Sequence, residues 1–285
     1  MKLLLAADPS AASDAAAREV AARPWPDGTT VLVVSVVEPS YGWSVPGLEE
    51  SLRDSARQAV SNAANTLEQA GLNASTLILD GDPKAAIIDQ AVEMGADLAV
   101  VGSHDVSDFA RFLLGSVARA VLRHAPCPVE IVRGEPRPGI RRILVATDGS
   151  SFSQTAISSV ATRPWPAGSV VRVLSVVELH IPLSHPQVYL EHQGMEDARA
   201  EAMRHAQEAV GFAEQALAAA GLEVSTSIAV PTATPKELIL KEAADWGADI
   251  LVVGSHGRRG VGRFLLGSVS EAVALHASCT VEVIR

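Results

Sequence analysis

Two stretches decide how this chain reads: GSHDVSDFARFLLGS (102–116) and GSHGRRGVGRFLLGS (254–268). Their frame is shared and their filling differs, with Asp105 and Asp108 standing where Gly257 and Gly260 stand in the second. Matches continue outward in both directions. RPWP occurs at 23–26 and 163–166, SVVE at 35–38 and 175–178, and GAD at 95–97 and 247–249. PCPVEIVR (126–133) answers SCTVEVIR (278–285). The offset is 140 early and 152 late, so the second copy carries a net insertion of twelve residues, mostly between its second strand and the following helix. A repeat of about 140 residues is a domain rather than a solenoid unit. The expected domains are 1–135 and 140–285, joined by the Pro- and Gly-rich GEPRPG (134–139).

Each copy alternates strand and helix. KLLLAA and RILVAT read as the first strands, TTVLVVSVV and SVVRVLSVV as the second, STLIL and STSIAV as the third. DLAVVG and DILVVG read as the fourth, VEIV and VEVI as the fifth. Most are unbroken aliphatic runs, as expected of a parallel sheet covered by helices on both faces. Alanine-rich stretches of helical length separate them, including 50–70 and 196–220, the second ending before a capping Gly221. The expectation is two doubly wound α/β domains.

Composition narrows the function classes. The formal net charge is -10, from 11 basic and 18 acidic residues in 1–139 and 12 and 15 in 140–285. No basic run offers a footprint for nucleic acid. MKLLLAADPS turns polar too early for a signal peptide, and no apolar run approaches a membrane span, so a soluble cytoplasmic protein is expected. The two cysteines, Cys127 and Cys279, occupy matching places and read as small buried hydrophobes rather than a redox pair.

In such sheets ligands bind beyond the carboxyl ends of the strands, where strand order reverses. Two groups of residues fall there in the second copy. TDGS (147–150) ends the first strand, where Asp148 can accept hydrogen bonds from a sugar hydroxyl or base amino group, or can cap the following helix. The glycine frame follows the fourth strand: Gly254, Gly257, then Gly267-Ser268 opening the last helix. Its glycines either turn a strand into a helix or let a ligand approach the backbone, and free N–H groups at the helix start suit a phosphate. It is not a Walker A loop, which needs Gly-Lys-Ser/Thr, nor a dinucleotide fingerprint, which belongs to the first strand–helix turn.

The pattern G-x2-G-x9-G-S, filled by Gly254, Gly257, Gly267 and Ser268, resembles the ATP-binding signature of the universal stress protein family, as do ILVATDGS and the closing VEVIR. The resemblance runs through nearly the whole chain twice. It implies five-stranded parallel sheets of order 3-2-1-4-5 and a pseudo-dyad between Val129–Val132 and Val281–Ile284. It implies ATP, with magnesium (Mg), as the ligand. By residue, Asp148 and the backbone near Thr147 and Val176 would hold adenine and ribose. Val253 and Gly254 would line the ribose side. Gly257, Gly267, Ser268, Val269 and Ser270 would cradle the phosphates, with the cation between them. A further homodimer is left open.

The first copy keeps Asp8, Val36, Gly102, Gly115 and Ser116 but places Asp105 at the second glycine. A carboxylate within a few ångströms of a phosphate costs on the order of 1–4 kcal/mol at intermediate dielectric. The first copy is therefore expected to be degenerate for triphosphate, the alternative being that its acidic side chains turn to solvent and the site survives. Arg258, Arg259 and Arg263 flank the second loop as phosphate clamps or as a solvated face. His180, His185 and His192 punctuate the insertion without tight ligand spacing, and His104 and His256 in equivalent turns read as structural. No activated nucleophile, metal triad or paired carboxylates can be read. The expected function is nucleotide-dependent regulation. Slow ATP hydrolysis or autophosphorylation is the enzymatic alternative, and a scaffold with a vestigial site is the third.

Overall fold

A computed structural model describes residues 1–38, 47–103, 114–137, 139–178, 192–230, 232–258 and 266–285, leaving aside the side chains of 192–194. Asp105, Asp108, His104, His180, His185, Arg259, Gly260 and Arg263 lie outside the described residues, as does the side chain of His192.

The first half runs β1 (Lys2–Ala6), α1 (Ala11–Ala21), β2 (Thr30–Val37), α2 (Leu48–Gln69), β3 (Asn73–Asp80), α3 (Pro83–Glu93), β4 (Leu98–Gly102), α4 (Ser116–His124) and β5 (Val129–Val132). The second runs β6 (Arg142–Ala146), α5 (Ser151–Thr162), β7 (Val170–Val176), α6 (His192–Ala219), β8 (Glu223–Ala229), α7 (Pro235–Trp246), β9 (Ile250–Gly254), α8 (Ser268–His276) and β10 (Thr280–Ile284). Local chemistry sets the helix ends. Ser10 and Ser150 cap α1 and α5 by accepting from Ser13 N and Ser153 N. Thr234 and Glu237 form a capping box on α7, with Pro235 in its first turn and Gly247 in left-handed backbone at its end. No described helix is long and apolar enough to cross a membrane.

Within each half the strands are parallel and ordered 3-2-1-4-5, as expected. The two sheets join into one ten-stranded sheet because β5 and β10 pair antiparallel, with Glu130 opposite Glu282. Successive strand residues face opposite sides of a sheet. Val129, Ile131, Val281 and Val283 therefore turn to one face, where a single apolar core runs across both halves and includes the buried Cys127 and Cys279. Burial pushes both thiols up to about 11, so they stay protonated and inert.

The other face carries two separate apolar cores, one per half. Between them lies a buried charged cluster. Glu130 pairs with Arg23, Glu282 with Arg163 at 2.6 Å, and Glu19 with Arg141 at 3.1 Å. The Arg23 guanidinium lies 4.6 Å from the Trp25 ring centre and 4.7 Å from that of Trp165. The repeated RPWP thus supplies Arg23, Arg163 and both tryptophans of this cluster. The third pair has no mate, since Ser159 and Met1 stand at the positions equivalent to Glu19 and Arg141. The GEPRPG segment touches both halves: Glu135 accepts from Arg18 and Arg137 reaches Asp249.

Glu130 faces Arg23, Glu282 and Glu19, and burial pushes its carboxyl up to about 7 from an ordinary value near 4.5, against the pull of Arg23. Its folded pKa is raised, so its contribution to stability is complete below about 4.5 and is lost as pH rises through about 7. Unfolding midpoints in urea are expected to fall across this window, and Glu130→Gln should flatten the fall. An equally steep profile in the variant would assign the effect to another group.

Candidate functional site

All ten residues expected at the second-copy site line one cavity of about 310 Å³. It opens beyond the carboxyl ends of β6, β7 and β9, beside the start of α8, where the strand order reverses.

The turn after β6 sets its acidic end. Gly149 adopts φ +77, which a residue with a side chain rarely does, and the turn brings the Ser150 amide to Asp148 Oδ1 at 3.0 Å. The Arg258 amide, from the loop after β9, donates to Oδ2 at 3.0 Å. Burial alone would raise the carboxyl pKa; hydrogen bonds from the Ser150 hydroxyl and amide and the Arg258 amide outweigh it and hold Asp148 below its ordinary value. Asp148 is therefore an anion and a fixed acceptor. Capping of α5 falls to Ser150, so the two readings of TDGS are divided between two residues. Thr147 spends its hydroxyl on Ser153, at 3.1 Å, and its amide on Leu174, leaving its face rather than its polar groups to the cavity. Val176 and Val253 add apolar walls.

The three glycines prove to have different reasons. None is in left-handed backbone. A Cβ on Gly254 would stand 2.7 Å from the Phe152 carbonyl carbon, and one on Gly102 2.6 Å from that of Ala12. Both admit the first helix of their half against the sheet. A Cβ on Gly267 would stand 3.0 Å from the Ser255 carbonyl oxygen, which accepts the Gly267 amide at 2.8 Å. A Cβ on Gly257 would meet no backbone; it would stand 2.7 Å from Asp148 Oδ2. That contact belongs to the site alone.

The basic end is the start of α8. Gly267 has no side-chain cap, and the first helical amides, at Ser268, Val269 and Ser270, precede any intrahelical acceptor. Ser268 is exposed and Val269 half-buried, while the buried Ser270 hydroxyl donates to the Gly254 carbonyl at 2.6 Å. Ser270 thus ties helix to strand, and its amide is the group it has left for a ligand. An acceptor faces donors backed by a helix dipole across an apolar floor. This suits a molecule with hydroxyl or amino groups at one end and negative charge at the other.

Sequence reasoning missed several residues. Pro235 and Ile239 on α7 and Glu178 after β7 line the cavity, and no local pattern marks them. His205 on α6 has Nε2 3.1 Å from the Asp148 carbonyl oxygen, which can only accept, so the proton sits on Nε2. Its first-half equivalent is Ser55. His256, expected to be structural, lies against Phe152 with ring centres 4.9 Å apart and Nδ1 3.1 Å from Ser255 Oγ. Burial, then Arg285, lowers its pKa and keeps it neutral.

The first half has a cavity of about 270 Å³ at the equivalent place, lined by Asp8, Val36, Gly102, Gly115 and Ser116 among others. Pro9 stands where Gly149 stands, and its ring excludes the positive φ of that turn. Asp8 is exposed, whereas Asp148 is half-buried. Ser10 donates to Asp8 through its amide, at 3.0 Å, and its hydroxyl.

Comparison with known proteins gives concordant results. The family model described as Universal stress protein family matches residues 1–133 and 139–285. A universal stress protein of Mycolicibacterium smegmatis is 29% identical over 301 residues, spanning 99% of this chain and 96% of that protein. One of Mycobacterium tuberculosis is 32% identical over 257 residues, spanning 84% and 80%. Among solved structures, a universal stress protein from Archaeoglobus fulgidus superimposes with a TM-score of 0.70 at 23% identity, covering 100% of this chain and 96% of its own.

Proposed function

The chain belongs to the universal stress protein family, and from that premise we propose that it is a nucleotide-dependent regulatory protein whose C-terminal domain, 140–285, binds ATP. The observation that carries this is the meeting, in one cavity, of the anionic Asp148 and the uncapped start of α8. Asp148 accepts from ribose or adenine. The amides of Ser268, Val269 and Ser270, with the open edge at Gly257, receive the phosphates. Among the described residues no three His, Cys, Asp or Glu side chains converge to hold an ion, so a magnesium ion, which prefers phosphate oxygens and water, would be carried by the nucleotide. Asp148 takes two backbone donors and is held below its ordinary pKa, which makes it a good acceptor and a poor base. That favours binding over hydrolysis.

The N-terminal domain, 1–135, keeps a cavity but differs from the second at several places, three of them in the acidic turn and the glycine loop. Asp105 replaces the open glycine, Pro9 replaces Gly149, and Val106 replaces Arg258. One chain is therefore expected to hold close to one ATP tightly. Mass spectrometry of nucleotide released on denaturation, with titration of the full chain, tests this. One ATP per chain supports the reading. ADP accumulating with time would make the protein an ATPase, and no adenine nucleotide at either site would leave a scaffold. Two equal tight sites would remove the asymmetry. Asp105→Gly should raise N-terminal affinity only partly, since Pro9 remains.

A further inference from the structure

The helix that opens on the C-terminal cavity is held by the other half of the molecule. Arg133 directly follows β5, in the first half. Its Nη2 donates to the carbonyls of Ala274, at 2.5 Å, and Leu275, at 3.3 Å, in the last turn of α8. Those carbonyls have no intrahelical donor, and a cation there complements the negative end of the helix dipole. Arg285, the equivalent residue of the second half, returns the contact to the Leu122 carbonyl of α4 at 2.6 Å. The terminal arginines of VEIVR and VEVIR thus cross the junction reciprocally.

A second tie is not reciprocal. Arg123 on α4 donates through Nε to Glu271 Oε1 at 2.8 Å and again through Nη2. Glu271 lies in the first turn of α8, next to Ser270. At the repeat-equivalent positions Arg119 stands for Glu271 and Leu275 for Arg123, so among the described residues the first turn of α4 lacks the equivalent pair. The first half therefore grips α8 at both ends, while the second half grips α4 at one. Arg123 also offsets the only acidic charge in the first turn of α8, where an anion is to be received.

We propose that Arg133 and Arg123 are positioning residues for the C-terminal site, so that the N-terminal half serves to set the phosphate-receiving end of α8. This rests on the nucleotide reading above and assigns the first half a part in it. Neither arginine touches the cavity; both act through the helix.

The test uses the full chain and two ligands, ATP and adenosine, since α8 faces the phosphates and the β6–β7 side faces the nucleoside. Arg133→Ala and Arg123→Ala are each expected to weaken ATP about fivefold and leave adenosine unchanged. Arg133→Lys should recover most of the ATP loss, and adding Glu271→Gln to Arg123→Ala should recover it by removing the unpaired charge. Equal weakening of both ligands would mean general loosening of the junction and would overturn the proposal, as would unchanged ATP affinity. If the wild type binds neither ligand, the nucleotide reading falls first. Hydrogen exchange in the ligand-free protein then decides the positioning claim: amides of α8 from Glu271 onward should exchange faster in Arg133→Ala, and unchanged exchange would overturn it. Should Arg133→Ala fail to fold, the Arg133→Lys and Arg123→Ala arms carry the same comparison.

Discussion

Gly257→Asp is expected to weaken ATP binding by more than tenfold, about 1.4 kcal/mol or more, while leaving the fold intact. Two effects add. The new Cβ stands 2.7 Å from Asp148 Oδ2, so the acceptor must leave the Arg258 amide or the loop must move. The new carboxylate then sits beside Asp148 and in the path of the phosphates, where each like-charge contact costs on the order of 1–4 kcal/mol at intermediate dielectric. The fold should survive because Gly257 is exposed and not in left-handed backbone. Gly257→Ala isolates the steric part and should fall between wild type and Asp. Gly254→Ala provides the contrast: its Cβ meets the backbone of α5, so it should lower the melting temperature before it changes affinity in any protein still folded. Calorimetry decides the matter. Unchanged affinity in Gly257→Asp would mean that the phosphates do not pass this residue.

Arg23→Ala is expected to cost about 3–5 kcal/mol of stability, the range for breaking a buried ion pair from one side. Arg23 is almost fully buried between the two RPWP tryptophans and pairs with a Glu130 that has no exposed surface. Its removal leaves Glu130 facing Glu282 across the β5–β10 junction without the guanidinium it pairs with. Arg23→Met keeps most of the volume and should still be strongly destabilising. Arg23→Met with Glu130→Leu should regain much of the loss, because a buried pair replaced by apolar groups of similar size is often neutral or better. The loss in Arg23→Ala should shrink below pH 7, as Glu130 takes up a proton. Urea unfolding at pH 5 and 8 reads all three. A small, pH-independent loss for Arg23→Ala would show that water reaches the cluster.

The architecture was legible in the sequence because it rests on repetition and local pattern. Aliphatic runs at matching offsets predict ten strands, and the duplicated VEIV and VEVI ends correspond to the strands that pair across the junction. The ten expected cavity residues were legible too, since glycine spacing and TDGS are local signatures placed by the strand–helix turns that carry them. The difference between GSHD and GSHG marked where the two copies depart from each other.

What pattern could not supply is which atom each residue meets. Gly254 and Gly257 look alike on paper, yet one makes room for a helix and the other for a carboxylate. The glycine whose Cβ would break the packing of α1 or α5 stands in both copies, and the one whose Cβ would meet only Asp148 stands in one. RPWP read as a repeat and nothing more, because Arg23 meets Trp165 of the other motif only when the two sheets join edge to edge. The reach of Arg133 to α8 spans more than 140 positions in sequence and belongs to neither domain alone. Strand and turn choices are decided by neighbours in the chain, so the sequence alone determined the fold and the rough location of the site. Contacts between distant segments depend on how closely backbones approach and which charges are buried together. Only the tertiary structure decided those.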